Sequence, residues 1–157
     1  MGGGGGGGSY TLGDTRALEE AAKEELRQGA GERKNVFLSF VVEDVSEVNL
    51  LRGQAKNENS EIEFNDWSVR EPYDSDRASY IKQKIGERIS QCSVTVVYLS
   101  DKTASSRWVA WEIEESLKRG KRVIGVHKGS TAPATLPSAI KQHGIKVVPW
   151  SKLASEL

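Results

Sequence analysis

Residues 105–116 read SSRWVAWEIEES, which sets two tryptophans and three glutamates within about three helical turns. Tryptophan is costly to leave in water and glutamate is costly to bury, so the stretch must sort its side chains around the helix. At about 100° per residue, Val109, Ala110, Ile113 and Leu117 share one face, predicted to lie on a sheet. Glu112 stands about 60° from Val109 on the flank of that face, with Trp108 one turn before it and Ser116 one turn after. It is predicted at the border between core and cleft. Glu114 and Glu115 fall on the solvated side, and Trp111 points towards a neighbouring element or a partner. One reading makes Glu112 a surface carboxylate near a helix start, favoured by the dipole, with the tryptophans as packing and Glu115 paired to Lys118 or Arg119. The other makes it a carboxylate beside an aromatic wall at the mouth of a cleft. Such a group holds a ribose by its hydroxyls and stabilises an oxocarbenium-like centre as a leaving group departs.

The elements that must position this helix follow from apolar runs. NVFLSF (35–40), SVTVVYLS (93–100), RVIGVH (122–127) and KVVPW (146–150) read as strands, and EIEFND (61–66) as an edge strand. Between them, residues 43–55, 76–91, 106–120 and 137–144 fit helices, with Ala78, Ile81, Ile85 and Ile89 at helical spacing in the second. Strand and helix in alternation predict a flavodoxin-like, doubly wound α/β fold with a mainly parallel five-stranded sheet over residues 35–157. Such sheets bind ligands beyond the carboxyl ends of their strands at the topological switch point. That rule selects three loops: the one after Phe40, the one carrying Asp66 and Trp67, and residues 100–108. Ahead of the domain, residues 1–13 form a glycine-rich tail, expected to be flexible and excluded from the fold, and residues 14–34 a helix capped by Asp14 and a linker.

Composition bounds the partners. Lys plus Arg and Asp plus Glu number 22 each, so zero net charge gives no electrostatic case for nucleic acid or an acidic membrane surface. One cysteine, Cys92, excludes an internal disulfide and a multi-cysteine zinc site, and two histidines argue against a histidine-rich metal centre. No apolar run approaches the roughly 18 residues of a membrane helix, and no signal-peptide pattern opens the chain, so a soluble cytoplasmic protein is expected. Cys92 is predicted as buried filler and His127 as a structural residue near the cleft rim.

VFLSF (36–40), ISQCSVTVVYLS (89–100) and SRWVAWEI (106–113) stand in the order, spacing and character of TIR domains, a family the chain resembles over roughly residues 35–128. The first is similar to the TIR opening strand and the second to its central strand. The third is similar to the Ser-x-Trp-x-x-x-Glu motif, whose glutamate is catalytic in NAD-cleaving members; here those positions are Ser106, Trp108 and Glu112. Residues 50–72 resemble the bacterial and archaeal TIR-like group that includes the Thoeris antiphage component more than animal adaptor TIRs. The resemblance implies an enzyme of antiphage defence that breaks the nicotinamide–ribose bond of NAD+, giving nicotinamide with ADP-ribose or a cyclic isomer used as a signal. It implies NAD+ as substrate with no further cofactor and no metal, activity that depends on self-association or an activator, and a downstream effector that reads the nucleotide. It implies Glu112 as the catalytic carboxylate. It further implies Phe40 and Trp108 as walls around the rings, Ser39, Ser100 and Ser106 as donors to ribose or phosphate, and Asp66 and Trp67 as a frame for the substrate.

The chain departs from the pattern at Phe40, where many TIR domains carry tyrosine, and at Arg70-Glu71-Pro72, a loose match to the proline loop of signalling TIRs. The segment FVVEDVSEV (40–48) has no glycine, which argues against a dinucleotide-binding dehydrogenase. Other readings stay open on the residues alone. A non-catalytic interaction module would use the same fold for docking through Trp111 or the helix from Asp14. A response-regulator receiver would press Glu43, Asp44, Asp101 and Lys128 into service, and a nucleoside deoxyribosyltransferase would share the glutamate logic.

Overall fold

The structure, a computed structural model, describes residues 34–58, 61–67 and 71–157. The glycine-rich tail, the helix from Asp14, most of the linker and Arg70 lie outside the described residues. Strands β1 (Lys34–Ser39), β2 (Ile62–Asn65), β3 (Val94–Leu99), β4 (Arg122–His127) and β5 (Lys146–Pro149) form one sheet in the order β2-β1-β3-β4-β5. Every neighbouring pair is parallel, so the doubly wound α/β sheet is parallel throughout. The order reverses between β1 and β3, which places the switch point there. Helices α1 (Val45–Glu58), α2 (Ala78–Gln91), α3 (Arg107–Lys118), α4 (Ser138–Gln142) and α5 (Leu153–Glu156) complete the layers. No helix among them is long and apolar enough to cross a membrane.

Alternation along each strand decides what faces what. Val36 and Leu38 of β1 join Val94, Val96 and Tyr98 of β3 in the core beneath α1, which Trp150 and Leu153 close. Phe37, one residue out of phase, packs with Ile81, Ile85 and Ile89 of α2, and Val97 and Leu99 pack with Val109 and Ile113 of α3. Ser39 and Thr95 share that second parity, so two hydroxyls are delivered into an otherwise apolar layer.

Local signals set the ends of α3. Ser106 caps it, its Oγ accepting the Val109 N–H at 3.1 Å. At the far end Gly120 takes a φ of 73°, and the N–H groups of Gly120 and Lys121 return to the carbonyls of Leu117 and Ser116. The buried face of the helix is Val109, Glu112, Ile113 and Ser116, while Ala110 is exposed. The expectation that Ala110 lies on the sheet and Glu112 on the flank is therefore corrected. Ser39 and Thr95 offer hydrogen-bond partners on that side of the sheet, and the helix turns its two polar residues towards them. Glu115 is also less solvated than expected, half-buried and bonded to Arg119 at 2.7 Å.

Close packing of β3, β4 and β5 leaves no room for a side chain at Gly125. A Cβ built at Gly125 in β4 would lie 2.9 Å from Leu99 Cδ1 and 3.1 Å from Val147 Cγ2. Gly125→Val is predicted to destabilise the domain by about 1–3 kcal/mol, read as a lower urea midpoint with an unchanged slope. A wild-type midpoint would show that β3, β4 and β5 are not packed this closely.

Candidate functional site

At the carboxyl ends of β1 and β3, the loops after both strands and the first turns of α3 enclose a cleft of about 230 Å³. Phe40, Val41, Val42 and Glu43 line it from the loop after β1, Trp67 from the loop after β2, and Lys102, Ser105, Ser106, Trp108 and Glu112 from the segment after β3. Glu112 is only 3% exposed and Ser39 only 1%. The Ser39 hydroxyl donates to Glu112 Oε1 at 2.5 Å, and no partner bonds Oε2 among the described residues. From the other end of the residue, Ser116 Oγ donates to the Glu112 carbonyl at 2.7 Å and lies 2.8 Å from Thr95 Oγ1. Strands β1 and β3 thus grip the side chain and the backbone of the same glutamate.

Burial is the largest influence on this carboxyl and pushes it up to about 8, against the opposing hydrogen bond from Ser39 and with a smaller push from the charge of Asp66. Because Ser39 donates to Oε1, a proton taken up by the acid resides on Oε2. The site therefore holds a neutral carboxyl at pH 7, ready to ionise when positive charge enters the cleft.

The aromatic wall is fixed by its own contacts. Trp108 donates from Nε1 to the Glu71 carbonyl at 2.9 Å and stands edge-on to Tyr73 and Trp111. Trp111 packs beside the core under α2, with Lys82 over its ring, so the expected neighbour is α2. The Arg88 guanidinium covers Trp67 at 5.0 Å.

Of the residues singled out in the sequence, Phe40, Trp67, Ser106, Trp108 and Glu112 meet at this cleft. Three are placed differently. Ser39 lies behind Glu112 and donates to it, so its hydroxyl is already engaged. Ser100 has the parity of Tyr98, turns to the α1 side and donates to Asp44 at 2.5 Å. Asp66 has the parity of Ile62 and Phe64 and pairs with Arg52 of α1 at 3.3 Å. Sequence reasoning selected the loops but passed over Val41, Val42, Lys102 and Ser105, and named Glu43 only for a receiver site; their position just beyond strand ends was the available signal.

The remaining candidates disperse. Glu43 lines the Glu112 cleft, while Asp101, exposed, and Lys128, paired with Glu47 at 3.1 Å, line another pocket, so the four receiver candidates do not gather at one place. Cys92 is buried, which pushes its thiol up, and buried His127 sits 3.3 Å from the Lys128 carbonyl. Among the described residues no three His, Cys, Asp or Glu side chains gather as a metal ion requires. A larger cavity, about 690 Å³, lies between α1 and residues 149–154. It exposes Leu51, Ala55, Trp150 and Leu153 of the α1-side core and is not the cleft that Glu112 lines.

Residues 37–133 match the family model of the TIR-like domain of the Thoeris protein ThsB. A Bacillus cereus (strain MSX-D12) protein, ThsB1, named as a candidate cyclic ADP-D-ribose synthase, is 33% identical over 98 residues, covering 60% of this chain and 51% of that protein. The chain thus spans about half the length of this curated relative. Among solved structures, the Clostridium botulinum CMP N-glycosidase BcmB is 15% identical with a TM-score of 0.50, over 78% of this chain and 99% of that one, a likeness of fold. The TIR domains of the activated Roq1 resistosome are 22% identical with a TM-score of 0.45, over 62% of this chain and 59% of that one.

The raised Glu112 carboxyl has a consequence for stability. Its ordinary value is 4.5 and its folded value about 8, so between these pH values the folded chain keeps a proton that the unfolded chain has released. The contribution is fully present below pH 4.5 and is lost as pH rises through about 8. Glu112→Gln, neutral throughout, is predicted to remove a slope of up to about 1.4 kcal/mol per pH unit from this window. Urea unfolding of both proteins at pH 5 to 8.5 measures it, and parallel curves would mean that Glu112 ionises normally.

Proposed function

The chain belongs to the family of TIR-like domains of the Thoeris protein ThsB, and from that premise we propose that it cleaves the nicotinamide–ribose bond of NAD+. The observation that carries the reading is a buried carboxyl, held at one oxygen and open at the other, in the floor of an aromatic-walled cleft at the switch point. The name of the B. cereus relative, a candidate cyclic ADP-D-ribose synthase, favours the same substrate.

The chemistry asks little beyond charge and placement. As the C1′–N bond breaks, its electron pair passes to the ring nitrogen, so the cationic pyridinium leaves as neutral nicotinamide and positive charge moves to the sugar. The Glu112 carboxylate lies where that charge develops, and Oε2 accepts from a ribose hydroxyl. Phe40, Trp67 and Trp108 flank the rings and keep water from the reacting bond until nicotinamide is displaced. At about 230 Å³ the cleft is smaller than the roughly 300–1,000 Å³ of pockets that enclose a whole ligand, and it takes the nicotinamide and its ribose. The sugar cation is then captured by water, which releases a proton and gives ADP-ribose, or by the adenine base of the same molecule, which closes a ring. A role in antiphage defence, with self-association switching the activity and an effector reading the product, belongs to this proposal.

The test is nicotinamide release from NAD+ at high protein concentration, with products resolved by mass. Glu112→Ala is predicted to lower turnover by at least about 100-fold, while Glu114→Ala, on an exposed carboxylate, stays within about 2-fold of wild type. Because the ionised carboxylate does the work, kcat/KM rises with pH towards the value of about 8 set by burial. Equal losses in the two variants, or release that is undiminished in Glu112→Ala, would remove Glu112 from the chemistry.

A further inference from the structure

Ser39 is the last residue of β1 and is 1% exposed, so no substrate reaches its hydroxyl past Glu112. It has one hydrogen-bond acceptor, Glu112 Oε1 at 2.5 Å. A buried hydroxyl facing a buried carboxyl, in a layer otherwise built from Phe37, Val97, Val109 and Ile113, is expensive unless the pair is complete. The Ser39 bond completes the pair at Oε1 and leaves Oε2 towards the cleft.

We propose that Ser39 is the positioning residue of this site: its hydroxyl clamps Glu112 Oε1, fixes the rotamer of the carboxyl and leaves Oε2 as the atom that meets the substrate. The inference rests on the reading of Glu112 as the group that acts on the glycosidic bond. Ser39 does not touch substrate; it acts through Glu112, which replaces the expected role as a donor to ribose or phosphate. The clamp also opposes burial. By donating to the charged form it eases ionisation of a carboxyl that its surroundings hold neutral. Among the described residues, the other charged groups near Glu112 are Asp66, itself paired with Arg52, and Glu43 and Lys102, which line the cleft from the loops after β1 and β3. None of them is bonded to the carboxyl.

Two measurements on Ser39→Ala and Ser39→Thr test this. In steady-state NAD+ cleavage, Ser39→Ala is expected to lose about 10- to 100-fold in kcat with little change in KM, as misplacement of a reacting group does. Its pH–rate profile moves to higher pH than wild type, because the bond that favoured the carboxylate is gone, and Ser39→Thr restores most of both. In a ¹³C-carboxyl NMR titration of the full chain, with Glu112→Gln identifying the signal, Glu112 of Ser39→Ala titrates at higher pH than in wild type. Should Ser39→Ala not fold, Ser39→Cys keeps a similar volume and substitutes a weak donor, and carries the same expectations. A loss confined to KM, a rate loss with an unshifted profile, or an unmoved Glu112 titration overturns the positioning role. If wild type releases no nicotinamide, the NAD+ reading fails on its own, and the titration still decides whether Ser39 governs the carboxyl.

Discussion

Holding a carboxyl inside the interface between a parallel sheet and a helix is the constraint on which the site depends. Glu112 is buried on a helix face whose other members are Val109, Ile113 and Ser116. Left unpaired there, the group would cost several times what a surface glutamate costs. Two features make it tolerable. The carboxyl stays protonated over most of the neutral range, and Ser39 meets one of its oxygens. The second follows from strand parity, because the preceding place on β1, Leu38, faces the core beneath α1.

The same parity divides the molecule into a quiet face and a working face. Beneath α1 the apolar strand residues are closed by Trp150 and Leu153, and Phe64 stacks on Trp150 with centroids 6.1 Å apart. Under α3, Ser39, Glu112, Ser116 and Thr95 make a polar thread, fully bonded except at Oε2. A satisfied buried network specifies one arrangement of its members. Here that arrangement presents a single carboxyl oxygen to the cleft and anchors the backbone behind it. The Ser116 back-bond to the Glu112 carbonyl works against an ideal helix, which is consistent with a placement that serves the glutamate more than the helix.

Much of this was legible in the sequence, because apolar runs and turn residues are local. The five strands, the helices between them and the cap and stop of α3 at Ser106 and Gly120 needed no tertiary knowledge. What could not be read was which hydroxyl meets which acid. Ser39 and Ser100 each close a strand with the same residue type, yet one turns to Glu112 and the other to Asp44. Counting alternation from the apolar partners of each strand separates them, but only once the layer covering each parity is known. Asp66 failed for the same reason: β2 is an edge strand beside α1, and its acid found Arg52 before it could face the cleft. The rotation of α3 that buries Glu112 and exposes Ala110 was hidden because hydrophobic periodicity alone cannot anticipate a polar residue that is welcome inside.

The aromatic wall gives the buried carboxyl its strength. Trp108 is tied by its indole N–H to Glu71 and braced by Trp111, and Trp67 is pressed under Arg88, so the wall does not collapse onto Glu112 or swing away from it. Fixed apolar walls exclude water, and exclusion of water is what raises the carboxyl to about 8. The same low polarity magnifies any attraction between the carboxylate and a cation brought against Oε2, since the interaction scales inversely with the local dielectric. A carboxylate in open solvent would be nearly indifferent to the charge of what binds, because water screens it. Glu112 is instead mostly protonated at neutral pH, and once ionised it attracts a cation strongly. Under the proposed reaction, such a site favours a cationic pyridinium glycoside over a neutral nucleoside of the same shape.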